Sequence, residues 1–537
     1  MGFLLAQGAT TLYKIDLSDG TATALTLPSN VTLSSTRKPR IAVLNQWVVV
    51  TNSPTQNLAI DAEGTVRVLV PRAPLHSPTI AAGSGTGLTG AYKFRESFIV
   101  TNSDGELLME SPLSPEAAAF TLANQNASLA DIPISLDTVS ARRIYRTAAG
   151  GSTFFHLVDL DGNTGTTLQD ATTDATLALL PAQPSILTGP PGTLPGIRMK
   201  QIVEWKSRLW GIADDSALVD TVFFTETNKV YAWPNTAIAY PTGMDSAGIV
   251  AFAKRKNQLG LLKRNGLWQI SGSSATTGIS SDNLSISQIA FEKAGCSAPD
   301  SVVTINDRVY YLGKDGVYEW GERVDNISND RVDKWFQSDT YFNRSRFGNA
   351  FAKYDEINHA YELHLANAGD STENRWVTYY IDAKVWTGPH KTDLFTPTHA
   401  CHGVDENVLP IALVGASNGV IYQANASTYR DGAATAIDMD CYTPFFSANA
   451  PDIHHVWLQP SILTKIEAAG TLSLTPYVGR LDASAGTAIS HDLTLGRERL
   501  TRLGTGPMFR FRIRQNTVNQ SATIYGVEVP FLERGRR

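Results

Sequence analysis

The sequence is poor in the residues that mark thiol, metal and phosphate chemistry. Its 537 residues include three cysteines, Cys296, Cys401 and Cys441, too few and too dispersed for a disulfide framework. A zinc site would need clustered ligands such as CxxC, and none occurs. The nearest approach, Cys401 with His399 and His402, reads better as alternating strand or loop residues. No GxSxG, HExxH or P-loop is found. No run approaches the roughly 20 apolar residues of a membrane helix. Met1 to Ala6 has no basic n-region and too short an apolar run for a secretory signal, which counts against a secreted lectin or adhesin. Charge is sparse at 18%, and long helices would want more Glu, Lys and Leu.

What is abundant is turn and strand material. The chain carries 42 glycines and 26 prolines, with 42% apolar residues. That balance fits a folded, all-β chain of short strands and tight turns. Its length allows two to four domains. The net charge of −6 argues against a general nucleic-acid binder.

A phrase recurs about every 40 to 60 residues: strand, polar turn with glycine, then a strand alternating aliphatic or aromatic with polar residues. It is seen at Gly260–Ile270 around Asn265-Gly266, at Arg308–Trp320 around Lys314-Asp315-Gly316, and at Ser417–Gln423. Asn265-Gly266 predicts a type I′ hairpin turn, since these residues tolerate positive φ. The period is that of four-stranded propeller blades. Residues 80–188 break the rhythm with Gly90–Val100, in which Tyr92, Phe94 and Phe98 are candidates for one face, and the region ends at Pro181, Pro184, Pro190, Pro191 and Pro195. The expected organisation is a first part of a β-propeller (1–79), an inserted fibronectin/Ig-like β-sandwich (80–188), the rest of the propeller (189–445) and a C-terminal β-sandwich (446–537).

Charge is uneven along the chain. From Arg497 to Arg537 there are nine arginines, no lysine and three glutamates. Phe509-Arg510-Phe511-Arg512-Ile513-Arg514 alternates strictly, which places an apolar face against an arginine face. Arg510, Arg512 and Arg514 are therefore the candidate partner-facing basic strand, against the plainer reading of a solvated strand face.

Four stretches together resemble bacteriophage tail nozzle and packaged-DNA stabilisation proteins of short-tailed phages. They are "GAYKFRESFIVTNSDGELLMESPLSP" with its continuation to "LQDATTDATL", "RLWGIADDSALVDTVFFTETNKVYAWP", "FEKAGCSAPDSVVTINDRVYYLGKDGVYEWG" and "FRFRIRQNTVNQSATIYGVEVPFLERGRR". The resemblance implies a virion protein of the tail, made in the host cytoplasm. It implies a homo-oligomeric ring, often a hexamer, docked to adaptor, portal-side and fibre proteins. Genomic DNA would pass the channel during ejection without sequence readout, and an acidic lining would let it slide. The family brings no catalytic residues, metal or cofactor.

Two other classes find less support in the residues. A propeller glycosidase would place paired carboxylates at its funnel, but Asp214, Asp215, Asp300, Asp325 and Asp330 all sit beside Asn, Ser or Gly, as turn carboxylates do. A receptor- or carbohydrate-binding propeller at the tail tip or virion surface would expose some of Trp205, Trp210, Trp233, Trp268, Trp320, Trp335, Trp376 and Trp386 for sugar stacking. Core or inter-blade packing is the plainer role for those rings. His454 and His455 would point to opposite faces of a strand and make a poor ligand pair.

Overall fold

The computed structural model describes residues 4–29, 31–52, 56–102, 104–183, 199–213, 219–233, 238–239, 248–272, 284–392, 394–405, 407, 409–424, 430–431, 435–448, 451–480, 483–517 and 520–533. It is all-β, with antiparallel sheets throughout and only short helical turns among those residues. The chain forms two compact units, residues 1–391 with 397–422 and residues 392–396 with 423–537.

The first unit is a series of meanders in sequence order. A three-stranded sheet (Leu4–Gly8, Thr11–Ile15, Ala22–Ala24) precedes blade 1, formed by Arg40–Leu44, Trp47–Thr51, Leu58–Ile60 and Val66–Val68. Blade 2 (Met199–Trp205, Arg208–Ala213, Thr221–Phe224, Ile238–Ala239) and blade 3 (Ile249–Lys254, Gln258–Lys263, Gly266–Gly272, Leu284–Phe291) follow. Blade 4 is Val303–Ile305, Arg308–Leu312, Val317–Trp320 and Val324–Asn326, and blade 5 is Phe351–Asp355, Ala360–Leu365, Arg375–Tyr380 and Val385–Lys391. A three-stranded blade 6 (Pro397–Val404, Pro410–Ala416, Ile421–Ala424) closes the series. The first strands of blades 1 to 6 neighbour one another in that order.

Strand alternation explains this propeller arrangement. Each sheet has two apolar faces, and each face packs on a different neighbour. In blade 3, Phe252, Leu259, Leu261, Trp268 and Ile270 pack on Trp205, Trp210 and Phe224 of blade 2. Ala251, Ala253, Leu262 and Leu267, on the other face, meet Val309, Tyr311 and Trp320 of blade 4. Blade 4 then presents Tyr310, Leu312 and Val317 to Tyr361, Leu363 and Tyr379 of blade 5. At about 1.5–3 kcal/mol for each fully buried large apolar side chain, these seams dominate the stability of the unit.

Between blades 1 and 2 lies the insert. One sheet runs Leu107–Glu110, Phe94–Thr101, Ala141–Thr147, Phe154–Asp161. Opposite it stand Thr79–Ala82 with Ala127–Ala130 and Leu168–Asp170, and the pair Leu88–Tyr92 with Phe120–Gln125. Tyr92 and Phe94 share a core with Leu88, Leu122, Leu129 and Ile144, and Phe98 is buried as well. Val100 and Met109 pack instead into the blade 1–blade 2 core, beside Trp47 and Met199, so the sandwich is seated on the propeller by apolar contact.

The second unit is built on a sheet in the order Met439–Tyr442, Met508–Gln515, Thr471–Gly479, Ile489–Asp492, with two three-stranded sheets beside it. Its core holds Trp457, Ile462, Leu472, Leu474, Phe509, Phe511 and Ile513. Apart from residues 392–396, the chain belongs to this unit from Gln423 onward, and strand Met439–Tyr442 pairs with Met508–Gln515 rather than with a blade.

The hairpin expected at Asn265-Gly266 forms, but one residue earlier. Lys263 pairs with Gly266, which leaves Arg264-Asn265 as the turn, and Gly266 extends at φ 150°. Turns with two successive positive φ values occur instead at Lys206-Ser207 and Asn306-Asp307. The turn packs against the following segment: the Cys296 N–H donates to the Lys263 carbonyl at 2.8 Å, and the Arg264 carbonyl lies so near Gly295 that a Cβ there would fall 1.9 Å from its oxygen. Tertiary contact, rather than the Asn-Gly dipeptide, sets the register there.

Candidate functional site

Strand Met508–Gln515 follows the predicted alternation. Phe509, Phe511 and Ile513 are buried, while Arg510 and Arg512 are half-buried and Arg514 is exposed. The arginine face finds acids within its own unit. Arg512 donates through Nε to Asp440 at 2.8 Å and through Nη2 to the other carboxylate oxygen. Arg514 donates to Asp438 through Nε at 3.0 Å and Nη2 at 2.8 Å. Such two-pronged contacts fix the guanidinium plane. The Arg512 hydrogen bonds hold the Asp440 carboxyl below its ordinary pKa.

Arg510 is placed differently. Its guanidinium carbon lies 4.8 Å from the ring centre of Tyr442, 4.6 Å from Phe445 and 5.0 Å from Tyr477. Of the three predicted residues, two are thus neutralised by aspartates and one is caged by rings. The acids came from residues 72 and 76 positions away, and the only signal for them was the Asp438-Met439-Asp440 alternation beside Tyr442.

The propeller carries a second polar cluster, which sequence reading did not assemble. Lys38 and Arg40, at the start of blade 1, both pair with Asp300 in the turn leading into blade 4; the Lys38 contact is 3.0 Å. Lys38 also lies 5.1 Å from the Phe351 ring centre in blade 5, and Phe351 stands 5.8 Å from His399 in blade 6. Burial by itself would raise the Asp300 pKa, but Arg40 and Lys38 outweigh it and hold the carboxyl below its ordinary value. This chord of charges ties blade 1 to blades that are not its neighbours in the series.

The remaining carboxylates weighed for catalysis are scattered. Asp325 is exposed and accepts from Arg323 at 2.7 Å, while Asp330 occupies a turn at φ 59°. Asp214 and Asp215 lie outside the described residues, as do Pro184, Pro190, Pro191 and Pro195. Trp205, Trp210, Trp233, Trp268 and Trp320 are buried in or beside the inter-blade seams, and Trp335, Trp376 and Trp386 are partly covered. His399 and His402 flank Cys401 on one strand, and their rings contact Phe351 and Tyr354. His455 is buried and His454 exposed. No group of three or more potential metal ligands occurs among the described residues, and none of their helices is long and apolar enough to cross a membrane.

No family model matches the chain. No curated protein matches it either. Similar solved structures include PorZ, a bacterial surface component of the type-IX secretion system of Porphyromonas gingivalis, at 10% identity and TM-score 0.26, over 99% of this chain and 80% of that one. The extracellular domain of a hybrid two-component system from B. thetaiotaomicron is 9% identical with TM-score 0.22, over 97% and 78%. An exo-β-1,3-galactanase from Phanerochaete chrysosporium is 6% identical with TM-score 0.17, over 99% and 100%. At these values the likenesses carry no functional weight.

Proposed function

We propose that the chain is a non-enzymatic structural protein of a bacteriophage tail, a nozzle or hub subunit that packs side by side into a ring around the DNA exit channel. The observation that carries this reading is the Arg40–Asp300–Lys38 chord. These charged side chains tie the start of blade 1 to the turn leading into blade 4, as suits a rigid building block. DNA would then pass between subunits, not through the centre of any one propeller. The apolar seat of the insert on blades 1 and 2 makes the sandwich a fixed projection able to contact a neighbour. The alternative, a receptor- or carbohydrate-binding propeller at the tail tip or virion surface, comes second because five of the eight candidate tryptophans, Trp205, Trp210, Trp233, Trp268 and Trp320, are buried in or beside the seams.

The test is the mass of the purified protein by light scattering together with its copy number in purified particles. Six or twelve copies per particle supports the ring, even if the protein is a monomer in solution. A trimer, or a copy number unrelated to the tail symmetry, favours the surface-binding reading.

A further inference from the structure

The ladder of arginines and aspartates on the C-terminal sheet stops one rung early. The main-chain partner of Arg514 is Asp440 and that of Arg512 is Tyr442, yet each arginine reaches diagonally to the acid two residues before its partner. Arg514 takes Asp438 and Arg512 takes Asp440. The same diagonal brings Arg510 to residue 442, which is a tyrosine. Among the described residues no carboxylate replaces it. The Arg510 Nε is buried with no hydrogen-bond partner among the described residues, and three rings surround the guanidinium. Aromatic faces attract a cation but do not neutralise it, and the planar group is held ready for a two-pronged carboxylate contact. Tyr442 is 48% exposed, so part of the ring remains open beside that charge.

We propose that this face binds an acidic saccharide. The sugar carboxylate completes the missing rung at Arg510, and the pyranose ring lies on the open part of Tyr442. A ligand for this place must bring one negative charge and a flat apolar face together, which an acidic sugar does. Asp438 and Asp440, each already paired with an arginine, leave a single uncompensated positive charge beside Tyr442, which suits one carboxylate rather than a run of acidic residues or phosphates, and their free lone pairs can accept from sugar hydroxyls. This inference goes beyond the tail-assembly reading and does not depend on it.

The experiment is a glycan array carrying sialylated, uronic-acid-containing and neutral oligosaccharides, probed with the full chain and with Arg510→Gln, Arg510→Lys and Tyr442→Ser. The expected result is retention of acid-bearing glycans only, a loss of at least ten-fold in Arg510→Gln and Tyr442→Ser, and a smaller loss in Arg510→Lys. Melting curves establish that each variant is folded. Tyr442→Ser, at a half-exposed position, keeps the test decisive if Arg510→Gln does not fold. The proposal is overturned if no acid-bearing glycan is retained, if neutral glycans bind equally, or if folded variants bind like the parent. It is also overturned if a glutamate-rich peptide competes as well as the best glycan.

Discussion

Lys263 Nζ lies 2.6 Å from Asp220 Oδ1, with both side chains almost out of solvent. The pair joins the end of a blade 3 strand to the turn before Thr221–Phe224 of blade 2, and neither group has a further hydrogen-bond partner among the described residues. Removing one partner strands a charge in a low-dielectric seam, at a cost of about 3–5 kcal/mol. Lys263→Met or Asp220→Leu alone should therefore lower the denaturation midpoint strongly, while the double variant recovers most of the loss. Denaturant unfolding followed by tryptophan fluorescence reads this directly, because Trp268 lies 5.3 Å from Lys263 Nζ. A double variant no better than the singles would assign the effect to packing alone.

Gly260 marks the opposite face of the same blade. A Cβ there would sit 2.4 Å from the Trp320 ring of blade 4 and 3.1 Å from Ala253. Gly260→Ala must push the indole out of a filled seam, and overpacking of this kind costs about 1–3 kcal/mol. The expected readout is a lower melting temperature with a changed Trp320 environment in near-UV circular dichroism. Trp320→Phe in the Gly260→Ala background should restore part of the stability, since the smaller ring leaves room for the methyl group.

Much of this architecture was legible along the chain, because strand alternation is local. The pattern at Phe509, Phe511 and Ile513 gives a buried face directly, and the buried run of Tyr92 and Phe94 marks the insert core. The contacts that assemble the candidate polar clusters are not local. Asp300 is brought to Arg40 with three blades and the insert between them in the chain, and Asp438 to Arg514 from 76 residues away. Nothing in the neighbourhood of either arginine names its partner. Turn chemistry failed for a related reason: Asn265-Gly266 has the favoured dipeptide, but Lys263 pairs with Gly266 and its carbonyl accepts from Cys296, a contact from about 30 residues along the chain that the dipeptide does not name.

The outward arginines allow a prediction that separates internal pairing from assembly. Replacing Arg512 and Arg514 with Glu faces each against an aspartate and should lower the melting temperature of the second unit with no partner present. Exchanging the charges, as Arg512→Asp and Arg514→Asp with Asp438→Arg and Asp440→Arg, should restore the parent melting curve. If the exchanged variant also enters particles normally, the two pairs are structural alone. Failure to enter despite normal melting would show that the direction of the charge matters to a neighbour.

The burial of Glu96 predicts a pH dependence for the stability of the insert. It is wholly buried between Phe94 and Phe98 on the core side of its strand, and neither carboxylate oxygen has a hydrogen-bond partner among the described residues. Burial pushes its pKa up to about 8, against the opposing pull of Arg142, the charged group that faces it. Arg142 is itself engaged, donating to the carbonyls of Gly162 and Pro133. The folded insert therefore holds a proton that the unfolded chain releases near the ordinary glutamate value. This contribution to stability is fully present below that value and is lost as pH rises towards 8, by at most about 5 kcal/mol. Hydrogen exchange of strand Phe94–Thr101 at a series of pH values, corrected for the intrinsic rate, should show protection falling between pH 5 and 8. In Glu96→Gln the amide stays neutral, so that decline should flatten while the blades are unaffected. An unchanged slope in Glu96→Gln would mean that another group sets the pH dependence of the insert.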